Sequence, residues 1–414
     1  MKIQTAFWMA TLLSSVALTP FTSQAFDVGT NVTYGALIVT NASVTPLTTN
    51  LAMPDDGIFH CTTINIGTNC TVKFIPNALN TPVYLLAQSN LLINGTLDVS
   101  GADGQTSGTA SVAGSGGFSG GSFGTPSAVP AGAGQGPGGS ISNLPANFYQ
   151  NGGSFGTLGY GGLAGASTNY GDLLLVPLIG GSGGSGLQGV NSFVGASGGA
   201  GGGAILLASS TNVTVNGNIL AKGGNGIYNG FVTSGGGSGG AVRIVSPTVS
   251  VLGNIYVSGG TNSKTSSLSY GGNGRVRIDT TTTGLNAKVI GNGVSGAGLP
   301  VISYGRSLFV FPPASPQLYF VNVAGSNIVA GTSNNVPLPS GSSTNQVVTL
   351  CGTNFLGTVP VQIVATPANG TPFTTNIVLN FPSQTTLVST NVIINVPAGI
   401  PTQLNAYANY GVQP

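Results

Sequence analysis

Three stretches of the chain share one pattern of apolar and polar positions. Residues 90–104 (NLLINGTLDVSGADG), 212–226 (NVTVNGNILAKGGNG) and 248–262 (TVSVLGNIYVSGGTN) each alternate apolar and polar residues, break at a glycine, alternate again and close on glycine. The apolar positions are Leu91, Ile93, Leu97 and Val99, then Val213, Val215, Ile219 and Ala221, then Val249, Val251, Ile255 and Val257. A period of two predicts strands with one buried face. The interposed Gly95, Gly217 and Gly253 predict a bend where a side chain would obstruct the backbone. A third short strand precedes each copy, at 82–87 (PVYLLA), 204–209 (AILLAS) and 241–246 (AVRIVS), and RVRID (275–279) opens a truncated unit. Three strands and their bends recurring every 34–37 residues or so, with spare length absorbed in glycine loops, predict the stacked coils of a parallel β-solenoid, spaced about 4.8 Å apart. No such coil buries its apolar face alone. The alignment also pairs Asn94 with Asn216 and Asn218 with Asn254, amides placed to stack as ladders along a corner. Antiparallel hairpins are the alternative, but they do not predict strand triplets separated by glycine loops.

The periodic pattern lapses over 101–203, where Gly, Ser and Ala dominate. Such a composition buries little and reads either as disorder or as a long excursion folded loosely on the flank of the solenoid. Phe118, Phe123, Phe148, Tyr149, Phe155, Tyr160 and Tyr170, with the apolar run LLLVPLI (173–179), favour the excursion. The β-solenoid is therefore expected over 58–306 with a long insertion at about 101–203, after a cap segment at 26–57. A proline-containing junction (307–317) follows, and no charged residue occurs after Arg306. Six β-branched-rich runs, 317–323, 346–352, 359–366, 375–381, 390–396 and 402–408, then predict a C-terminal immunoglobulin-like β-sandwich over 316–414. The fold class expected is all-β.

Composition narrows the partners. Charged residues make up 4% of the 414, Glu is absent and the formal net charge is +2. No cluster of Lys and Arg exists to displace counterions from phosphates, so a nucleic-acid partner is not expected. Residues 1–25 combine a basic Lys2, an apolar stretch and the small-x-small ending Ser23-Gln24-Ala25, the pattern of a secretory signal peptide cleaved before Phe26. Beyond that leader no run approaches the roughly 20 apolar residues of a membrane-spanning helix. Export would place Cys61, Cys70 and Cys351 in a compartment that permits disulfides. Cys61 and Cys70 flank one strand-like run and are either a disulfide closing a short loop or two buried small hydrophobes.

The stretches 55–104 and 235–260 (GGGSGGAVRIVSPTVSVLGNIYVSGG) resemble a group of glycine-rich secreted bacterial proteins with right-handed parallel β-helix regions. The resemblance covers about 55–305 and implies an extracellular or cell-surface address and a β-helix. It implies no catalytic residues. The cysteines of the N-terminal stretch depart from its pattern.

Candidate chemistry is sparse. Glycoside cleavage generally needs two carboxylates flanking one bond, and the chain offers Asp27, Asp55, Asp56, Asp98, Asp103, Asp172 and Asp279. Asp55 and Asp56 are neighbours in extended chain and face opposite ways. Asp98 aligns with Leu220 and Tyr256, which leaves no acidic groove. His60 is a general base only if an acid lies nearby, and one His with no second Cys-x-x-Cys pair makes no zinc site. Arg243, Arg275 and Arg277 occupy third-strand positions of neighbouring rungs. They form either a stripe for an anionic glycan or a solvated face partly paired with Asp279. A regular Thr array, as on ice-binding faces, is missing because Thr214 aligns with Ser250 and Leu92. The expectation is a secreted, non-catalytic structural or adhesive surface protein without cofactor or metal, with extracellular glycans, other surface components or copies of itself as partners. The alternative is a carbohydrate-binding or carbohydrate-active β-helix protein.

Overall fold

The computed structural model describes residues 34–106, 109–125, 129–141, 149–162, 168–189, 193–262, 269–294, 296–311, 316–329 and 334–408. The leader at 1–25, the start of the cap segment with Asp27, Phe148 and the tail from 409 lie outside them. The described chain is all-β. It first runs through β1 (Leu37–Val39), β2 (Leu47–Ala52) and β3 (Ile58–Cys61), then β4 (Ile64–Ile66), β5 (Cys70–Ile75) and β6 (Val83–Ala87). A third round comprises β7 (Leu91–Ile93), β8 (Thr96–Asp98) and β9 (Ala204–Ser209), a fourth β10 (Asn212–Val215), β11 (Asn218–Leu220) and β12 (Ala241–Val245). The fifth holds β13 (Thr248–Val251), β14 (Asn254–Tyr256) and β15 (Arg275–Asp279), and β16 (Lys288–Ile290) and β17 (Val301–Gly305) end the series.

Each strand pairs in parallel with its counterpart one round away, giving three sheets ordered β1-β4-β7-β10-β13, β2-β5-β8-β11-β14-β16 and β3-β6-β9-β12-β15-β17. The register follows the apolar pattern: Leu91 pairs with Val213 and Val213 with Val249, while Leu97 pairs with Ile219 and Ile219 with Ile255. The inward residues of all three sheets meet in one buried cluster, from Ile64 and Ile66 through Val72, Leu85 and Leu207 to Ile278. A slip of one residue would turn every one of these side chains outward, and each buried Leu or Ile contributes about 1.5–3 kcal/mol.

Corners between the first and second sheets carry the bend glycines. A Cβ on Gly253 would strike the carbonyl oxygen of Gly217, and one on Gly217 that of Gly95, so the backbones approach too closely for any other residue. Beside them the aligned asparagines form the expected contacts. Asn216 Nδ2 donates to Asn94 Oδ1 at 2.8 Å and Asn254 Nδ2 to Asn218 Oδ1 at 3.1 Å.

The third sheet is covered on both faces, which is why β9 reads as a nearly continuous apolar run and both β9 and β12 are buried at every position instead of alternating. Its outer face packs Leu86, Ala204, Leu206 and Val245 against Phe155, Leu175 and Leu178 of the glycine-rich insertion and Val310 of the junction. The described segments of the insertion are not loose. Gly181, Gly184 and Leu187 donate to the carbonyls of Gly202, Gly199 and Ala196, and Phe118, Gly121 and Gly124 donate to those of Gly181, Gly184 and Leu187. Gly199 and Gly202 likewise donate to Gly235 and Ser238. Every third residue of a segment thus faces the same neighbour. A repeat of three, with hydrogen bonds made between segments, is that of packed polyproline II helices, where glycine permits the close approach. The polar residues of GGSGGSG (180–186) are satisfied inside this layer: Ser182 N donates to Ser238 Oγ at 2.8 Å and Ser185 Oγ to the Asn151 carbonyl at 3.1 Å.

All six C-terminal runs form strands. With the short β19 (Ser326–Asn327), β18 (Gln317–Val323), β20 (Asn345–Thr353) and β23 (Val388–Asn395) make one antiparallel sheet, and β21 (Gly357–Pro367), β22 (Phe373–Phe381) and β24 (Thr402–Ala408) a second. Val348, Leu350, Val361, Ile363, Leu379 and Ile394 fill a shared core. This unit rests on the glycine layer, where Ser122 Oγ donates to the Ala368 carbonyl, Gly370 N to the Ala131 carbonyl at 3.2 Å, and Asn369 Nδ2 to that of Pro130 at 3.2 Å.

Cys61 and Cys70 are free and form no disulfide. Cys61 ends β3 in the third sheet and Cys70 opens β5 in the second, and both are buried as members of the central core. They act as small hydrophobes. Cys351, also free, is buried in β20.

Candidate functional site

The strongest concentration of charge among the described residues lies on the outer face of the third sheet. In β12 and β15 the register sets Arg243 beside Arg277 and Val245 beside Asp279. Alternation puts Arg277 and Asp279 on one face of their strand, and Arg277 Nη2 and Nε reach Asp279 Oδ1 at 2.7 and 3.0 Å. Arg243 Nη2 lies 3.4 Å from Asp279 Oδ2. Arg243 is 1% exposed and Asp279 is fully buried. Arg243, Arg277 and Asp279 thus form neither a glycan-facing stripe nor a solvated face but a sequestered Arg-Asp-Arg cluster, because the junction segment folds back over it.

Two guanidinium groups face one carboxylate, so the surroundings must accommodate an excess positive charge. Arg243 Nη2 donates to the Phe309 carbonyl at 3.0 Å and Nη1 to that of Val310 at 3.4 Å, while the Phe309 ring stands 4.9 Å from the guanidinium carbon. Carbonyl dipoles and a π face supply partial negative charge. Asp279 Oδ1 also accepts from Ser307 N at 3.2 Å, pinning the start of the junction. Burial pulls the Arg243 pKa down and Asp279 opposes that pull. Arg243 Nε has no hydrogen-bond partner among the described residues.

Arg275 does not join this cluster. It packs on Phe155 at 5.5 Å and donates from Nε to the Tyr170 carbonyl at 3.1 Å, fixing the insertion to the third sheet. Tyr170 in turn hydrogen-bonds Ser182 at 2.9 Å, and burial raises its phenol pKa far above the ordinary range. The arginines therefore fasten chain to chain.

The remaining carboxylates are dispersed. Asp98 pairs with Lys73 at 3.6 Å and accepts from Ser100 N, Asp103 accepts from Asn225 N, Asp172 from Leu174 N, and Asp56 from Ile58 N. No group of three His, Cys or Asp residues gathers among the described residues in a way that could hold a metal ion. His60 lies half-buried in β3. Gly95, Gly217 and Gly253 are brought together as one stack.

Sequence reasoning missed Phe309 and the carbonyl of Val310 as partners of Arg243. The available signal was AVRIV itself, since an arginine flanked by apolar residues on both strand faces needs a buried counterpart. Two aromatic pairs were also missed: Phe193 with Phe231, stacked at 5.8 Å, and Tyr160 with Tyr270 at 5.5 Å. The chain matches no protein-family model, no curated protein and no solved structure.

Proposed function

We propose that the chain is a secreted, non-catalytic structural or adhesive protein of the cell surface or extracellular space. Its three parallel sheets are the faces of a parallel β-helix, its two antiparallel sheets an immunoglobulin-like sandwich, and its kinship the glycine-rich secreted β-helix proteins. The observation that carries this reading is the use made of charge. Asp56, Asp98, Asp103, Asp172 and Asp279 each accept from a backbone N–H of the chain, Arg243 and Arg275 bind carbonyls and aromatic rings, and Arg277 binds Asp279. Polar chemistry is spent on holding segments together, as in a load-carrying scaffold. Fractionation of cells producing the chain tests this: recovery at the surface or in the medium supports it, and retention of an uncleaved chain inside the cell refutes it.

A second reading, glycan binding, is favoured by the Phe193 and Phe231 pair, which is 37% and 50% exposed yet stacked. Such rings offer flat apolar faces to the C–H faces of sugars. A glycan screen of the mature chain beside Phe193→Ala/Phe231→Ala decides it: binding lost in the variant supports a lectin-like role, and no binding by either leaves the scaffold.

A further inference from the structure

The outer face of the second sheet is left uncovered. None of its outward residues enters an apolar cluster of the described chain. Register arranges that face in lines. Thr71, Thr96, Asn218, Asn254 and Lys288 form one, and Lys73, Asp98, Leu220, Tyr256 and Ile290 the next. Lys222 lies two residues past Leu220 and so points the same way. Backbone pairing continues to it, Gly101 N donating to the Lys222 carbonyl at 2.9 Å and Gly223 N to that of Ser258 at 2.9 Å. Lys222 therefore stands opposite Ser258. The lysines among the described residues, Lys73, Lys222 and Lys288, thus share one face.

These lysines are not equivalent. Lys73 pairs with Asp98 at 3.6 Å. Lys222 and Lys288 are exposed and enter no ion pair among the described residues. They flank Tyr256 diagonally. Lys222 lies one round before the ring and two residues further along the strand, Lys288 one round after it and two residues short. Two rounds separate the pair by about 10 Å along the stack. Tyr256 itself is half-buried between Leu220 and Ile290, also half-buried. Two carboxylates approach this face: Asp98, held by Lys73 and Ser100 N, and exposed Asp103, which accepts from Asn225 N at 2.7 Å. Arg306, exposed and likewise without an ion pair, follows β17 of the third sheet.

We propose that this face binds an acidic polysaccharide, one bearing carboxylate or sulfate groups, which lies along the stack over Tyr256 with acid groups on Lys222 and Lys288. The inference takes the extracellular address proposed above, and its site is separate from Phe193 and Phe231. The C–H face of a sugar packs on the phenol ring and its collar of Leu220 and Ile290, and each ammonium donates to an acid group. Charge complementarity selects the partner. A neutral glycan would leave both ammoniums without a counterpart, and two unpaired cations are too few to follow a nucleic-acid backbone. Because the lysines stand on opposite sides of the ring, an extended chain meets both only if its acid groups alternate in direction.

Calorimetric titration of the mature chain with polygalacturonate, dextran sulfate, dextran and polyuridylate tests this. Binding of polygalacturonate or dextran sulfate, weakened by added salt, with none of dextran, is expected; the polymer bound tells carboxylate from sulfate. Lys222→Ala/Lys288→Ala, at two exposed positions, should weaken binding at least about tenfold. Tyr256→Phe should retain it, Tyr256→Ala lose it, and Arg306→Ala leave it unchanged. The proposal is overturned if neither polyanion binds, if the lysine variant binds as wild type does, or if dextran binds equally or polyuridylate more tightly. Loss of binding in Phe193→Ala/Phe231→Ala alone overturns it too, by moving the site. A chain that reaches the surface yet binds neither polyanion defeats only this inference, whereas intracellular retention defeats the scaffold reading.

Discussion

Replacing Asp279 by alanine isolates the contribution of the buried cluster. The substitution removes the acceptor of Arg277 Nε and Nη2, the counter-ion of Arg243 and the acceptor of Ser307 N. Arg243 and Arg277 remain behind at 1% and 8% exposure, unable to lose their protons. Breaking a buried pair from one side costs about 3–5 kcal/mol, because it strands uncompensated charge. The matched control is Lys73→Ala at an ion pair whose lysine side chain is 54% exposed, where a loss of about 0–1 kcal/mol is expected. Urea unfolding followed by far-ultraviolet circular dichroism measures both, using the transition assigned to the parallel region, since a chain with two cores need not unfold in one step. A third variant, Arg243→Met/Arg277→Met/Asp279→Leu, removes the charges together and is expected to regain most of the loss. If Asp279→Ala costs no more than Lys73→Ala, the cluster does not hold the junction and the reasoning fails.

Gly217→Ala sets a Cβ against the backbone oxygen of Gly95 and should cost on the order of 3 kcal/mol or prevent folding, whereas Gly284→Ala, at φ +70° with nothing within 4 Å, should cost only about 1–2 kcal/mol of backbone strain; thermal melts compare them. The three thiols should resist a thiol reagent until denaturant is added. Burial pushes the Cys61 thiol up from 9.0 to about 11, so the folded chain holds that proton more tightly. Its contribution to stability is therefore intact below about pH 9 and lost as pH rises toward 11, which denaturation at stepped pH would register as a falling midpoint. Hydrogen exchange should show the amides of Gly181, Gly184 and Leu187 protected as strongly as those of β9, since each donates to a carbonyl across the layer; rapid exchange would mean that the glycine segments are not packed.

The amino-acid sequence by itself determined the strands and register of the three glycine-bent rounds, though not β1 and β2, which lie in the stretch read as a cap segment. Leu97, Ile219 and Ile255, or Asn94 and Asn216, stand at equal distances from a bend glycine, and only one stacking puts every apolar residue inward. The six C-terminal strands were equally legible, because β-branched runs between turn residues are local signals. The tertiary structure alone decided the fate of Arg243, Arg277 and Asp279: whether they meet water depends on the junction returning over the third sheet and on the insertion packing beside it, segments remote in sequence. It also decided that Cys61 and Cys70 enter the core from different sheets. The glycine-rich stretch carried a period of three in GGSGGSG, but a polyproline II helix bonds only to its neighbours, and local sequence does not say which neighbours the chain will bring.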